Sequence, residues 1–373
     1  MERRQKKAIL QDLDKKMVFL SGPRQSGKTW LAKDIASHFK SSTYLNYDHL
    51  EDRKIIHNEA WLASTDLLIL DELHKMSDWK NYLKGVYDTK SPHLKILVTG
   101  SARLDVLKQV GDSLAGRYFS HRLLPFSPAE LSQHQLSNDL NRFIEHSGFP
   151  EPFLAANMTD VKRWRSQYID SLMRVDIFDF NHIHDLKSIQ LVLELLRSKV
   201  GSPVSFKSIA EDVGVSPNTV KKYIQIFEAL YIIFRVTPFS KNIARSLLKE
   251  PKIYFFDTGL VNGDNGAKLE NLVATCLLKD IYGKVDYQGE PYALHYLRTK
   301  EGKEVDFAIV HHDEIQKMIE VKYADKQLSA NLLTFHEKYH VPAVQVVQEL
   351  KQERIDKNIE IRNVLSFLKA LDY

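Results

Sequence analysis

Gly22-Pro23-Arg24-Gln25-Ser26-Gly27-Lys28-Thr29 constrains what this chain can fold into more than any other stretch. It fits the pattern G-x-x-x-x-G-K-[ST], a loop whose backbone N–H groups wrap around phosphate oxygens. Met17-Val18-Phe19-Leu20 before it reads as a short buried strand, and Trp30 to Phe39 after it reads as a helix. That order sets the loop at a helix N-terminus, where unpaired N–H groups and the helix dipole attract anions. Lys28 is expected to reach the β- and γ-phosphates of a nucleotide, and Thr29 to hold Mg²⁺.

A nucleotide triphosphatase also needs an acidic strand end. Thr65-Asp66-Leu67-Leu68-Ile69-Leu70-Asp71-Glu72 is an apolar run closed by two carboxylates. A continuous apolar run suits a parallel strand buried on both faces, whose C-terminal end is where ligands of an open α/β sheet sit. Asp71 is expected at the Mg²⁺ water shell and Glu72 at the attacking water. A further strand, Leu94-Lys95-Ile96-Leu97-Val98, ends in Thr99-Gly100-Ser101. Thr99 and Ser101 are candidates to sense the γ-phosphate, or simply a polar strand end at a turn. Arg117, in Leu114-Ala115-Gly116-Arg117, has two open readings: a finger reaching a neighbouring subunit's nucleotide, or an ordinary ion-pair arginine.

The 373 residues carry 43% hydrophobic and 27% charged side chains, the balance of a globular chain of two or three domains. A single cysteine, Cys276, excludes an intrachain disulfide, and its apolar neighbours mark it as core packing. A reducing cytoplasm is the expected compartment. No run of 18 apolar residues exists, so no membrane span is expected. The basic Met1 to Lys7 reads as the start of a solvated helix. A net charge of +4 permits a nucleic-acid partner without requiring one.

Along the chain, residues 1–135 alternate strands and helices, with Thr43-Tyr44-Leu45-Asn46-Tyr47-Asp48 as a further strand. This is the pattern of a parallel sheet flanked by helices. Leu124 to Leu131 reads as the exit strand and the start of a new helix. Residues 136–200 carry helical spacing, broken by His146-Ser147-Gly148-Phe149-Pro150-Glu151-Pro152. Residues 201–257 change character. Phe206, Ile209, Ala210 and Val213 mark one face of a short helix, and Gly214-Val215-Ser216 is a tight turn. Ser216 offers an N-cap with Pro217 behind it. Val220, Tyr223, Ile224 and Phe227 then recur at core spacing, leaving Asn218, Thr219, Lys221, Lys222 and Gln225 outward. This is a helix-turn-helix pattern, with Tyr231 to Val236 and Ile253 to Phe256 as the strands of a wing. Seven Lys/Arg against four Asp/Glu between 201 and 250 place much of the basicity here. DNA binding and protein packing both remain open for it.

Residues 258–373 carry a second constellation. Lys303-Glu304-Val305-Asp306-Phe307-Ala308-Ile309-Val310 alternates as a strand, His311-His312-Asp313-Glu314 reads as a solvated turn, and Met318-Ile319-Glu320-Val321-Lys322 returns. Glu320 and Lys322 share a face because strand side chains repeat every two residues. Asp306 beside them completes the D…E-x-K layout of metal-dependent nucleases, with Glu270 on the preceding helix as a further carboxylate. An edge strand with solvated charges is the alternative.

Taken together, the chain resembles prokaryotic AAA+-type ATPases that fuse a compact ATPase core to a C-terminal domain of unknown function. The pieces that carry the resemblance are the Gly22–Thr29 loop, Leu70-Asp71-Glu72, Thr99-Gly100-Ser101, Ala115-Gly116-Arg117, Gly148-Phe149-Pro150-Glu151, Lys252-Ile253-Tyr254-Phe255-Phe256-Asp257-Thr258-Gly259-Leu260, Leu269-Glu270-Asn271, Glu304-Val305-Asp306-Phe307 and Ile319-Glu320-Val321-Lys322. They run in family order across nearly the whole chain. The resemblance implies an ATPase core without a separate helical lid, a winged helix in the middle, and a C-terminal α/β domain of the PD-(D/E)XK restriction-endonuclease type. It also implies ATP rather than GTP. Asp306 follows Val305 where the pattern has proline. The expected protein is an ATP- and Mg²⁺-dependent ATPase that engages DNA, with Mg²⁺-dependent cleavage as the lead. The rivals are a DNA-binding switch with an inert nuclease fold and a nucleotide-gated protein-interaction module. A homo-oligomer follows if Arg117 acts in trans.

Overall fold

The computed structural model describes residues 1–100, 114–132, 134–173, 185–240, 249–324 and 327–373. The chain forms two compact units, Met1–Leu124 and Pro125–Tyr373. Among the described residues no helix is long and apolar enough to cross a membrane.

The first unit is built on five parallel strands, β1 (Met17–Ser21), β2 (Ser42–Asn46), β3 (Leu67–Asp71), β4 (Lys95–Thr99) and β5 (Tyr118–Arg122), in the order β2-β3-β4-β1-β5. Alternate residues of the central strands feed two separate cores. Met17, Phe19, Leu68, Leu70, Ile96 and Val98 pack against Trp79, Leu83 and Val86 of the helix Trp79–Thr89. Val18, Leu20, Leu67, Ile69 and Leu97 pack against Ile9, Leu13, Leu31 and Ile35 of the helices Gln5–Leu13 and Lys28–Ala36. Both faces are covered, which is why these strands read as unbroken apolar runs. The basic N-terminus does start a helix, but that helix buries Ile9 and Leu13 in the core. The last strand of the sheet is β5, not Leu124–Leu131. Two X-Pro steps, Leu124-Pro125 and Ser127-Pro128, favour extended irregular chain there and remove ladder donors.

The second unit carries an eight-stranded mixed sheet. Its strands are β6 (Ile233–Pro238), β7 (Lys252–Phe255), β8 (Tyr292–Arg298), β9 (Glu304–His311), β10 (Glu314–Ala324), β11 (Ala343–Glu349), β12 (Arg354–Asp356) and β13 (Ile359–Asn363), in the order β12-β13-β11-β10-β9-β8-β6-β7. β8, β9 and β10 run antiparallel in succession, and β11 returns parallel to β10 after the helix Ala330–Tyr339. The helix Asn265–Gly283 is buried along most of its length and packs on β7, β8 and β10. The boundary expected at residue 257 falls inside this body, because β6 pairs with both β7 and β8.

Several motifs of the chain are structural in this unit. Asp257 is buried, accepts from Arg165 Nε at 2.8 Å, and caps the Gly259 N–H at 2.9 Å. A Cβ on Gly259 would lie 1.8 Å from that guanidinium. Asn271 clamps the Phe255 backbone, accepting from its N–H at 2.7 Å and donating to its carbonyl at 2.8 Å.

Candidate functional site

The nucleotide loop leaves β1 and enters the helix Lys28–Ala36, as its sequence requires. Gly27 is the N-cap at φ 95°, and Gly22 sits at φ 144°, where a Cβ would lie 2.3 Å from the Leu123 carbonyl. Only glycine fits there, and the loop is held close to its own backbone. Arg3, missed in the sequence, braces the same region. It is buried and donates to the Ser26 and Leu124 carbonyls at 3.1 and 2.6 Å. Pro23, Arg24 and Gln25 form the crest of the loop, with Gln25 in the left-handed region at φ 58°. Lys28 is buried and donates to the carbonyls of Gly22 and Pro23 at 3.1 and 2.6 Å. Its ammonium thus lies inside the turn that a phosphate chain would thread.

Strand β4 lies between β1 and β3, so Thr99 ends beside both the loop and Asp71. Asp71 collects four donors. Thr99 Oγ1 donates to Oδ1 at 2.5 Å, the Glu72 N–H to Oδ1 at 3.1 Å, Thr29 Oγ1 to Oδ2 at 3.1 Å, and Tyr44 Oη to Oδ2 at 2.6 Å. Thr29 and Asp71 therefore present hard oxygen donors side by side, the donor set Mg²⁺ takes with a nucleotide. Tyr44 carries no signal in the sequence beyond its place on β2. Burial, with the Asp71 hydrogen bond and charge, holds its hydroxyl well above the usual tyrosine range. Glu72 stands at φ 56°, turned out of the strand path. Burial raises its carboxyl, Lys75 opposes, and the Asp71 charge adds to the rise. Ser101 lies outside the described residues.

Arg117 is not brought to this loop. It precedes β5, and Met17 faces Tyr118 while Ser21 faces Arg122, so it stands at the opposite end of the sheet. Five residues at about 3.3 Å each separate the two ends by roughly 16 Å. Its guanidinium forks onto Asp88 at 2.8 and 3.0 Å, and those bonds hold Asp88 below the usual carboxylate range.

In the second unit the helices Phe206–Val213 and Pro217–Ala229 meet at Gly214, which is left-handed at φ 77°. Ser216 caps the second helix by accepting from the Thr219 N–H at 3.1 Å. Val220, Tyr223, Ile224 and Phe227 are buried. Asn218, Lys221, Lys222 and Gln225 are exposed, and Thr219 is half-buried beside Ser216. β6 and β7 follow as an antiparallel pair.

Glu270, Asp306, Glu320 and Lys322 come together on β9, β10 and the helix Asn265–Gly283. Asp306 Oδ2 accepts from the Val321 N–H at 2.9 Å, locking the carboxylate against β10. Glu320 Oε1 accepts from Lys322 Nζ at 2.7 Å and from Ser329 Oγ at 3.2 Å. Glu320 Oε2 is buried with no hydrogen-bond partner among the described residues. An orphaned carboxylate oxygen beside Asp306 is what a Mg²⁺ ligand looks like before the ion is added, so the pair fits a hard cation. Burial raises both Glu270 and Glu320 well above the usual carboxylate range, and the Asp306 charge raises each further.

The group that sequence reasoning missed here is Lys252, on β7. Its side chain is only 1% exposed, and its ammonium lies 3.2 Å from Glu270 Oε1, 2.8 Å from Glu304 Oε1 and 3.5 Å from Asp306 Oδ1. Burial alone would lower its pKa, but the three carboxylates hold it above the usual lysine range. Tyr254, two residues on and on the same strand face, donates to Glu270 Oε1 at 2.7 Å. The alternation in Lys252-Ile253-Tyr254 was the available signal. At the other end of β9 the turn after His311 is solvated, with His312, Asp313 and Glu314 exposed and His311 half-buried. His311 Nε2 lies 2.8 Å from Glu290 Oε2, and one ligand atom from each of Glu290, His311 and His312 falls within 4.8 Å of the others.

Residues 14–132 match the family model of the AAA domain. Residues 137–270 match a domain of unknown function, DUF8612, and residues 265–368 another, DUF4143. Among curated proteins, "Uncharacterized protein MJ1544" of Methanocaldococcus jannaschii is 27% identical over 364 residues, covering 85% of this chain and 78% of the relative. "Uncharacterized protein Rv2008c" of Mycobacterium tuberculosis is 24% identical over 308 residues, covering 79% and 67%. Among solved structures, the Walker-type ATPase PABY2304 of Pyrococcus abyssi aligns with a TM-score of 0.45 at 13% identity, covering 69% of this chain and 93% of that one. The Orc1 protein of Aeropyrum pernix in complex with DNA aligns with a TM-score of 0.35 at 11% identity, covering 74% and 93%. The AAA match, the Gly-rich loop and the Asp71 network support ATP binding and hydrolysis by the first unit.

Proposed function

We propose that the chain is an ATPase that couples ATP binding and hydrolysis to DNA engagement, and that its second unit cuts phosphodiester bonds with a divalent cation. The observation that carries the ATPase half is Asp71, whose carboxylate joins the P-loop threonine, the β4 threonine and Tyr44 in one network. Thr29 and Asp71 would hold Mg²⁺ there, which would supply charge neutralisation on the phosphate chain. Lys28 binds the β- and γ-phosphates, the loop N–H groups hold the rest, and Glu72 orients the attacking water. Thr99 keeps Asp71 in place and sits where the γ-phosphate is sensed.

For the cleavage half, Asp306 and Glu320 are the cation ligands, with Glu270 behind them, and Lys322 stands beside Glu320 toward the attacking water. A divalent ion there supplies Lewis-acid activation of the phosphate. The exposed Asn218, Lys221, Lys222 and Gln225 on a capped second helix, followed by a two-stranded ribbon, support a winged helix that contacts duplex DNA. A second reading, an ATP-gated DNA-binding switch with an inert C-terminal fold, is favoured by one observation. The Lys252 ammonium already sits among the acids.

One set of variants separates these. Lys28→Ala is expected to lose nucleotide binding, and Glu72→Gln to bind ATP but turn it over slowly. Asp306→Asn and Lys322→Ala are expected to abolish nicking of plasmid DNA with Mg²⁺ or Mn²⁺ while leaving ATP turnover intact. A wild-type protein that nicks neither plasmid nor single-stranded DNA, with or without ATP, sinks the cleavage half. Normal turnover in Glu72→Gln reassigns the water-orienting carboxylate.

A further inference from the structure

We propose that Lys252 is a resident cation of the acidic cluster. In this role it takes the position between Glu270 and Asp306 and leaves room for a single divalent ion, held by Asp306 and Glu320. The inference rests on the cation-site reading above and deepens it.

Three observations carry it. The ammonium touches three carboxylates at 2.8–3.5 Å, and its stem is sealed from solvent, so it cannot swing away as a surface lysine does. The carboxylates divide between two cations. Glu270 Oε1 and Asp306 Oδ1 face Lys252, while Glu320 Oε1 faces Lys322. The remaining Glu320 oxygen, Oε2, is buried and has no hydrogen-bond partner among the described residues, whereas the Lys252 ion pairs run to Glu270, Glu304 and Asp306 and not to Glu320. A cation site is therefore open at Asp306–Glu320 and filled at Glu270–Asp306. A buried charge left uncompensated is strongly unfavourable, so removing the ammonium should create demand for a mobile cation in its place.

The assay is Mn²⁺ binding to the full-length, nucleotide-free protein, by titration calorimetry and by electron paramagnetic resonance of free Mn²⁺, with Asp306→Asn subtracted as the control. Wild type is expected to bind one Asp306-dependent ion. Lys252→Met is expected to bind a second ion or to bind the first at least tenfold more tightly. Its melting temperature should also rise more on adding Mn²⁺ than that of wild type, because a ligand that binds only the folded state stabilises it. Should Lys252→Met fail to fold, the double variant Lys252→Met/Glu304→Gln removes one charge of each sign, and the wild-type count stands by itself. Two Asp306-dependent ions in wild type, or unchanged Mn²⁺ affinity in a folded Lys252→Met, overturn the inference and leave the cleavage reading intact. No ion in wild type but one in Lys252→Met overturns the open site at Asp306–Glu320 and sinks the cleavage reading with it. No ion in either sinks both.

Discussion

Asp71 shows how much of a site depends on what one carboxylate accepts. Four donors fix both its oxygens before any nucleotide arrives, and three of them come from separate strands or helices. Loop, acidic strand end and β4 terminus were legible because each is a local pattern with a physical cause. Tyr44 and Lys252 were not, because a lone tyrosine or lysine on a strand looks the same whether it faces water or a carboxylate. Only strand register decides that. Cys276 is the opposite case, where local apolarity sufficed. It is 2% exposed, and burial pushes its thiol up to about 12. Its thiolate fraction near neutral pH is then roughly three orders of magnitude below that of a free cysteine. In the folded protein at pH 8, labelling by a disulfide reagent is expected to be at least about a thousandfold slower than in denaturant. Fast labelling of the native state would mean that the helix Asn265–Gly283 opens readily.

At the level of elements, helix periodicity was the most dependable guide. The face of Val220, Tyr223, Ile224 and Phe227 is buried as its spacing requires, because a capped helix of thirteen residues has only one way to present an apolar stripe. Sheet order was not legible. Nothing in the residues of β6 announces that it pairs with β8 far along the chain, and so the wing-like ribbon and the acidic cluster share one sheet. The consequence is that Lys252, on the ribbon, serves the cluster. The outward face of Pro217–Ala229 carries its own test. Lys221→Ala/Lys222→Ala is expected to weaken duplex binding and to reduce the slope of log K against log salt by about one to two units, one for each lost phosphate contact. Unchanged affinity and slope in a folded variant would assign this helix to packing or protein contacts.

At the scale of the whole molecule the question is whether one copy of the first unit is a complete ATPase. Lys28, Thr29, Asp71, Glu72 and Thr99 all gather at the C-terminal edge of its sheet, but Arg117 stands at the other edge, about a strand's length away, with its guanidinium forked onto Asp88. Within one copy it cannot reach its own phosphates, since parallel strands fix both ends. If it contributes to turnover, it does so from a second copy, and it must leave Asp88. That exchange is inexpensive, because the pair lies at a partly exposed surface where water and salt screen such bridges. Arg117→Ala is therefore expected to keep near-normal ATP affinity and to lose turnover by roughly a thousandfold, the range of arginine fingers elsewhere. Lys28→Ala supplies an intact arginine and no usable nucleotide site, whereas Arg117→Ala supplies the converse. Mixing the two inactive variants should restore measurable turnover that rises with protein concentration. Full activity of Arg117→Ala, or a wild type that is active as a strict monomer, would return Arg117 to the simpler role of tying Asp88 to the edge of the sheet.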